Sequence, residues 1–300
     1  MELRPLTFFM GVAEELNFSR AAAKMAITQS ALSRQIQQLE DELGVLLFRR
    51  DKRNVALTPA GSYLLGQARQ LRLTVTEVVE QTRRVHRGQI GALRIGHPGS
   101  ALYSILPETL AILAGQFPDV ATSLVEAAEQ ELYESLLNQH IDVGLVREVS
   151  TDVRLESEEL FAEPFALVVP EAHWLTVDTF RNLGQCREEA FVLPNLNRKL
   201  RDGLSYGQLV MDQFEEYGYT PRRVYESNYG ATILRLVEKN LGLSVLPISY
   251  QQGSSLKLRF LPLPTITRLY IFWRKGDLNP VLHNFLGICR ETVARLSAQE

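Results

Sequence analysis

Cysteine is scarce in this 300-residue chain. Cys186 and Cys289 are the only two, and they lie far apart. That excludes a disulfide scaffold and a paired-thiol metal or redox site, and it fits a reducing, cytoplasmic compartment. Histidine is equally sparse: His86, His97, His140, His173 and His283 are scattered without ligand spacing. There is no H-E-x-x-H zinc pair, no glycine-rich phosphate loop ending in Lys-Ser/Thr, and no G-x-S-x-G elbow around any serine. An enzyme is therefore not expected, nor a metal or cofactor. No apolar run reaches the ~18 residues of a membrane helix, so no membrane partner is expected. A signal peptide is not expected either, because Glu2 and Arg4 precede Leu6, Phe8 and Phe9, and polar residues return by Glu14.

The chain does have enough apolar residues for a soluble globular protein, 45% hydrophobic against 22% charged, and a length suited to two domains. Its net charge of −3 argues against a nucleic-acid partner until its distribution is considered. Residues 1–90 carry 13 Lys/Arg against 9 Asp/Glu, whereas the remainder carries 19 against 26. A basic segment on an acidic body is the pattern of a separable DNA-binding module.

The first 60 residues read as three helices and a hairpin. Leu6, Phe9, Ala13 and Leu16 make one helical face. Ser19 is the expected cap of a short second helix through Ala21, Ala22, Ala23 and Met25, whose small side chains permit close packing. Thr28 caps a third helix with Leu32, Ile36, Leu39 and Leu43 on one face, closed by Gly44. Its other face starts with Gln29 and carries Ser30, Ser33, Arg34 and Gln37, while Glu40, Asp41 and Glu42 gather at the far end. A helix that enters a major groove by its N-terminus needs this layout, since Arg, Gln and Ser can bond base edges and carboxylates must avoid phosphate. Taken alone, it also fits a solvated amphipathic helix. The following run Phe48–Leu57 reads as two short strands around a basic tip that includes Arg50 and Arg53, a wing placed to reach phosphates or the minor groove.

Val12-Ala13-Glu14-Glu15-Leu16-Asn17-Phe18, Arg20-Ala21-Ala22, Gln29 with Ala31-Leu32-Ser33-Arg34-Gln35-Ile36, Leu39-Glu40, Leu43-Gly44, Leu47-Phe48 and Leu57-Thr58-Pro59-Ala60-Gly61 together resemble the LysR-type transcriptional regulators. The resemblance implies a winged helix-turn-helix with base-reading positions at Gln29, Ser30, Ser33 and Arg34 and a wing contact at Arg53. One departure stands out. The family usually has proline where this chain has Ser30, which exchanges a pre-organised first turn for a hydroxyl.

Thr58-Pro59 caps a long helix. Leu64, Ala68, Leu71, Val75, Val78, Thr82 and Val85 recur in alternating steps of four and three, the period of a coiled coil. Leu64, Leu71, Val75 and Val78 are the candidate dimer contacts; packing of this helix on its own domain is the alternative. The family resemblance implies dimerisation here too. Gly88 and Gly91 are the expected hinge to the second domain.

From Leu93 on, apolar runs alternate with helical patterns, which predicts an α/β domain with largely parallel sheets. Such sheets bind ligands beyond the C-terminal ends of their strands. Gly99 and Ser100 follow one strand; the local N–H groups and the Ser100 hydroxyl suit an anion, although Ser100 also suits a plain helix cap. Arg147 follows another strand and is either a carboxylate ligand or a surface arginine. Asn195 and Asn228 follow two more.

Leu93-Arg94-Ile95-Gly96, Leu106-Pro107, Phe117-Pro118, Asp142-Val143-Gly144, Leu167-Val168-Val169-Pro170 and Gly242-Leu243-Ser244-Val245-Leu246-Pro247 resemble the same family's effector domain. This implies a two-lobed fold like periplasmic solute-binding proteins, with Ser100, Asn195 and Asn228 facing the cleft and His97 and Tyr103 near by. The expected fold is thus α/β with an N-terminal all-α winged helix-turn-helix (1–58), a long coiled-coil linker helix (59–90) and a C-terminal effector domain (91–300). Lobe I is expected at about 91–163 and 268–300, and lobe II at about 164–267. The expected function is a bacterial sequence-specific DNA-binding transcription regulator, responsive to a small-molecule effector such as a carboxylate or other anion. Double-stranded pseudo-palindromic DNA and RNA polymerase are the expected macromolecular partners. The chain is expected to be a homodimer, and the family's common tetramer extends that to a homotetramer. A solute-capture protein and a nonspecific nucleoid protein are the competing readings.

Overall fold

A computed structural model of the chain describes residues 3–50, 54–147, 149–194, 206–252 and 255–298. The chain divides into two compact units, Met1–Arg83 and Arg84–Glu300.

The first unit packs α1 (Leu3–Glu15), α2 (Phe18–Lys24) and α3 (Gln29–Leu43) around Leu6, Phe9, Val12, Ala21, Leu32, Ile36 and Leu39. Helix α2 starts earlier than Ser19 suggests. Asn17 is its cap, with an extended backbone and a side chain that accepts from the Arg20 N–H at 3.0 Å. Starting there turns Phe18 inward against Phe48, at a ring separation of 5.7 Å, so core packing selects between two competent caps. Thr28 caps α3 by accepting from the Ala31 N–H, and Gly44 ends it in the left-handed region at φ 68°. Strands β1 (Phe48–Arg50) and β2 (Val55–Leu57) pair antiparallel as the wing.

Helix α4 (Pro59–His86) begins where Thr58 Oγ1 accepts from the Gly61 N–H. The expected seam along it divides. Ala68 is buried in the first unit's own core, and Leu64 packs partly against that core. Leu71, Val75 and Val78 stand exposed at 43%, 39% and 58%. Leu64 is thus partly occupied within its own chain, because the start of α4 completes the core of the first unit.

The second unit opens with β3 (Ile90–His97), a short 3-10 helix (Gly99–Tyr103), α5 (Leu106–Gln116), β4 (Asp119–Glu126), α6 (Glu129–Leu137), β5 (Val143–Val146) and β6 (Leu155–Pro170). It continues with β7 (Ala190–Leu193), α7 (Tyr206–Glu215), β8 (Arg222–Glu226), α8 (Gly230–Glu238), β9 (Ser244–Pro247), β10 (Leu258–Arg274) and α9 (Pro280–Ser297). The main sheet has the order β4-β3-β5-β10-β6-β9, and β7-β8 form a second sheet.

The pairs β3–β4, β3–β5 and β7–β8 are parallel, but β10 runs antiparallel to both β5 and β6, and β6 antiparallel to β9. The expectation of largely parallel sheets fails at the centre. Its cause is visible in the residues. The first half of β6 carries Glu156, Glu158 and Glu159, and β10 carries Pro262 and Pro264 beside an irregularity in register. Neither looks like a buried strand on periodicity alone.

These two long strands join two cores. Leu160, Leu269 and Ile271 pack with Leu93, Ile95, Val143 and Phe285, while Phe165, Leu167 and Leu261 pack with Phe191, Val210, Phe214 and Val245. Ala166 and Val168 turn to a further cluster with Ile233 and Leu234 of α8. The expected glycine hinge also differs. Gly88 takes φ 65°, but the Asn284 amide of α9 donates to the Arg87 carbonyl at 2.9 Å, so this segment is tied into the second unit.

Candidate functional site

The candidate reading surface stands on α3 and β1. Gln29, Ser30, Arg34 and Gln37 are exposed and Ser33 half-buried, while Leu32, Ile36 and Leu39 anchor the opposite face. Ser30 Oγ lies 3.2 Å from Thr28 Oγ1, so the hydroxyl at this first-turn position joins the cap. Arg53 lies outside the described residues.

Arg50 is less free than a wing-tip arginine is expected to be. One guanidinium nitrogen donates to Glu40 Oε2 at 3.2 Å, and the group lies 4.6 Å from the centre of the Phe18 ring. Glu40 is itself buried, and its Oε1 accepts from the Leu47 and Phe48 N–H groups at 2.8 and 3.1 Å. The carboxylate that sequence placed among the acids at the far end of α3 is a brace for the wing.

The second unit holds a cleft enclosing about 890 Å³, part of it open to solvent. Gly99 and Ser100 of the 3-10 helix, Glu129 at the start of α6, Arg147 beyond β5 and Asn228 before α8 all border it, together with Tyr206, Ile233 and Tyr250. This brings together four of the five candidate effector residues; Asn195 lies outside the described residues. Gly230 is required by close approach. A Cβ there would stand 2.1 Å from the Tyr250 hydroxyl.

The serine is not a helix cap. Pro98 precedes the 3-10 helix, and Ser100 Oγ accepts from Arg147 Nε at 3.0 Å. Arg147 is no surface arginine: it is 4% exposed. One terminal nitrogen donates to Glu163 Oε1, and Glu163 Oε2 accepts from the Ser249 N–H at 2.6 Å. The other terminal nitrogen, Nη1, is buried without a partner among the described residues. Buried donors rarely stay unpaired, and this one retains its capacity for one more acceptor.

Glu129 completes the arrangement. Its Oε1 accepts the Arg147 backbone N–H, and its Oε2 is buried with no partner among the described residues. Burial pushes its carboxyl up to about 7, against the opposing pull of the Arg147 amide and guanidinium. Burial also raises the phenols of Tyr206 and Tyr250, which stay neutral and present hydroxyls. No group of His, Cys, Asp or Glu among the described residues is arranged to hold a metal ion. Cys186 and Cys289 are buried, and burial pushes both thiols up to about 12, so neither is a ready thiolate.

Two family models match this chain. The bacterial regulatory helix-turn-helix protein model of the lysR family covers residues 3–62, and the LysR substrate binding domain model covers residues 86–294. The chain belongs to the LysR family of transcriptional regulators. It is 33% identical to the regulator AlsR of Bacillus subtilis (strain 168), over 97% of each chain. It is 30% identical to BenM of Acinetobacter baylyi, over all of this chain and 97% of that one. Among solved structures it is similar to CbnR, a LysR family transcriptional regulator, with a TM-score of 0.81, 26% identity, and 97% and 100% of the two chains covered. Full-length CbnR complexed with its target DNA gives 0.82 at the same identity.

This LysR-type protein is therefore a DNA-binding transcription regulator and not an enzyme, with a two-lobed α/β domain that responds to a small-molecule effector. Among its described residues no helix is long and apolar enough to cross a membrane. Sequence reasoning missed Glu129, Glu163 and Tyr250. Glu163 carried a usable signal, as a single carboxylate set in the apolar run Leu160–Pro170. An acid there needs a buried cation.

Proposed function

We propose that Gln29, Ser30, Ser33, Arg34 and Gln37 read base edges and that the wing, with Arg50 and Arg53, contacts the backbone or minor groove. The effector is a small molecule with a carboxylate or comparable anionic group, bound between the lobes at Gly99, Ser100, Arg147, Asn195 and Asn228. The observation that carries the effector class is the buried Arg147 Nη1, a charged donor that borders the cleft without a partner among the described residues. Lobe I comprises about residues 91–163 and 268–300, and lobe II about 164–267. The two separate cores, bridged by β6 and β10, support that division.

The exposed Leu71, Val75 and Val78 support a homodimer through α4, with Leu64 a lesser contact at the head of the seam, and a dimer of such dimers makes the tetramer. Ligand binding shifts the balance between two arrangements of the lobes, and hence between two arrangements of the reading heads, in proportion to its difference in affinity for the two. RNA polymerase is the downstream contact, in the bacterial cytoplasm.

The test is selection of bound fragments from genomic DNA by the purified full-length protein at physiological salt. An enriched pseudo-palindrome with half-sites about one or two helical turns apart is expected. Binding without enrichment would sink the assignment of α3 as a base reader. On the selected site, Ser100→Ala is expected to lose the effector response and keep DNA binding. A preserved response removes Ser100 from the site.

A further inference from the structure

The cleft is lined by a carboxyl, Glu129, as well as by a guanidinium, Arg147. Arg147 is the only cation among its described lining residues. Its charge is already met by Glu163 on one terminal nitrogen. Glu129 adds a second carboxyl, with Oε2 buried and unpartnered beside the same cleft. A third, Glu126 at the end of β4, comes close enough that a Cβ on Gly99 would stand 2.7 Å from its Oε1. Glu163 and Glu129 therefore both bond to Arg147, one through its guanidinium and one through its backbone N–H, and Glu126 stands near Gly99. A simple monoanion adds negative charge beside a guanidinium that Glu163 already neutralises. It would satisfy Arg147 Nη1 and leave the Glu129 acceptor buried and alone, which costs about as much as the new bond returns.

From the unpaired Arg147 Nη1 and the unpaired Glu129 Oε2 on one cleft, we infer that the effector is a zwitterion of the α-amino-acid type. Its carboxylate pairs with Arg147 and its ammonium with Glu129. The inference rests on the cleft being the effector site and specifies what that site takes. A bound ammonium accounts for the state of Glu129 as well. Burial holds that carboxyl up at about 7 without the ligand, and a cation on Oε2 draws it back toward the ionised form. The apolar lining by Ile233, Leu246 and the ring of Tyr206 then receives the side chain. A polar pair at one end and an apolar wall at the other is the ordinary build of a small-ligand pocket.

The test is calorimetric titration of the full-length regulator with the twenty standard amino acids, and with the carboxylic acids that lack only the amino group. Leucine pairs with 4-methylpentanoate, valine with 3-methylbutanoate, and phenylalanine with 3-phenylpropanoate. At least one amino acid is expected to bind tenfold or more tightly than its matched acid. Glu129→Gln is expected to bring that pair within about threefold while binding of the selected DNA stays unchanged. Arg147→Lys, which keeps the charge but not the two-pronged geometry, is expected to weaken both members of the pair. Acids that bind as well as their amino acids overturn the zwitterion and leave the anion site standing. A preference that survives Glu129→Gln also overturns it, since the ammonium then lies elsewhere. If neither panel binds at millimolar concentration, the zwitterion and the anion site both fall.

Discussion

The two units place their working side chains in opposite ways. On the reading head, the polar groups of α3 stand outside on a helix whose apolar face is locked into the core. In the sensor, Ser100, Arg147 and Glu163 are buried and bonded to one another. The first arrangement separates function from stability, because a solvated Arg34 holds nothing up. The second merges them in the proposed site, because Arg147 fixes Ser100 and Glu163 and is also the proposed ligand donor. Substitutions should therefore act on recognition alone in one unit and on recognition and folding together in the other.

The sharpest way to break that contrast is Arg147→Leu. Removing one member of a buried pair leaves Glu163 uncompensated, and the sensor should lose about 3–5 kcal/mol. In urea unfolding followed by circular dichroism, the double variant with Glu163→Leu should regain much of it. A loss under about 1 kcal/mol for the single variant would show that water reaches the pair and that the contrast is overdrawn.

Glu40→Ala probes the exception on the other side, a buried carboxylate inside the reading head. It strips the Leu47 and Phe48 N–H groups of their acceptor and frees Arg50. A cost of about 2–3 kcal/mol in head stability is expected, together with weaker DNA binding from a loosened wing. Full DNA affinity in this variant would mean that the wing is held by its strand pairing alone.

Arg34→Ala should leave the melting temperature unchanged and reduce discrimination between the selected site and a mismatched one by about 1–3 kcal/mol. Gel-shift titrations on both sequences measure this; equal losses on the two would assign Arg34 to phosphate instead. The smallest effect concerns pH. Glu129 is raised in the folded chain from 4.5 to about 7, so its protonated form favours the folded state. That contribution is complete below about 4.5 and fades as pH rises through about 7. The gap in stability between Glu129→Gln and the parent should widen in favour of the variant over that interval. A constant gap would place the carboxyl in water.

The head was readable because its signals are local. Thr28, Gly44 and the spacing of Leu32, Ile36 and Leu39 specify α3 within a single stretch of chain. The same locality hides errors of one or two residues, as where Asn17 rather than Ser19 caps α2, since the decision belongs to a packing contact with Phe48. The sensor was readable in its alternation of strands and helices and opaque at its centre. Leu155 pairs with Arg274, and Tyr270 with Val146, so the middle of the sheet is specified by residues more than a hundred positions apart. Arg147, Glu163 and Ser249 meet only as a result of that pairing, which no window along the sequence contains.

The distance between those paired residues also sets an order of events during synthesis. The head's buried core residues lie between Leu6 and Ala68, whereas the first sensor core cannot close until Val281, Leu282 and Phe285 of α9 arrive to cover β3. At roughly 5–20 residues per second, a ribosome takes on the order of ten to forty seconds to make the intervening chain. During that interval each nascent molecule carries a finished DNA reader and an unfinished receiver, with the apolar rows of β6 uncovered. The cell thus meets every copy first as a ligand-blind binder, and only later as a responsive one.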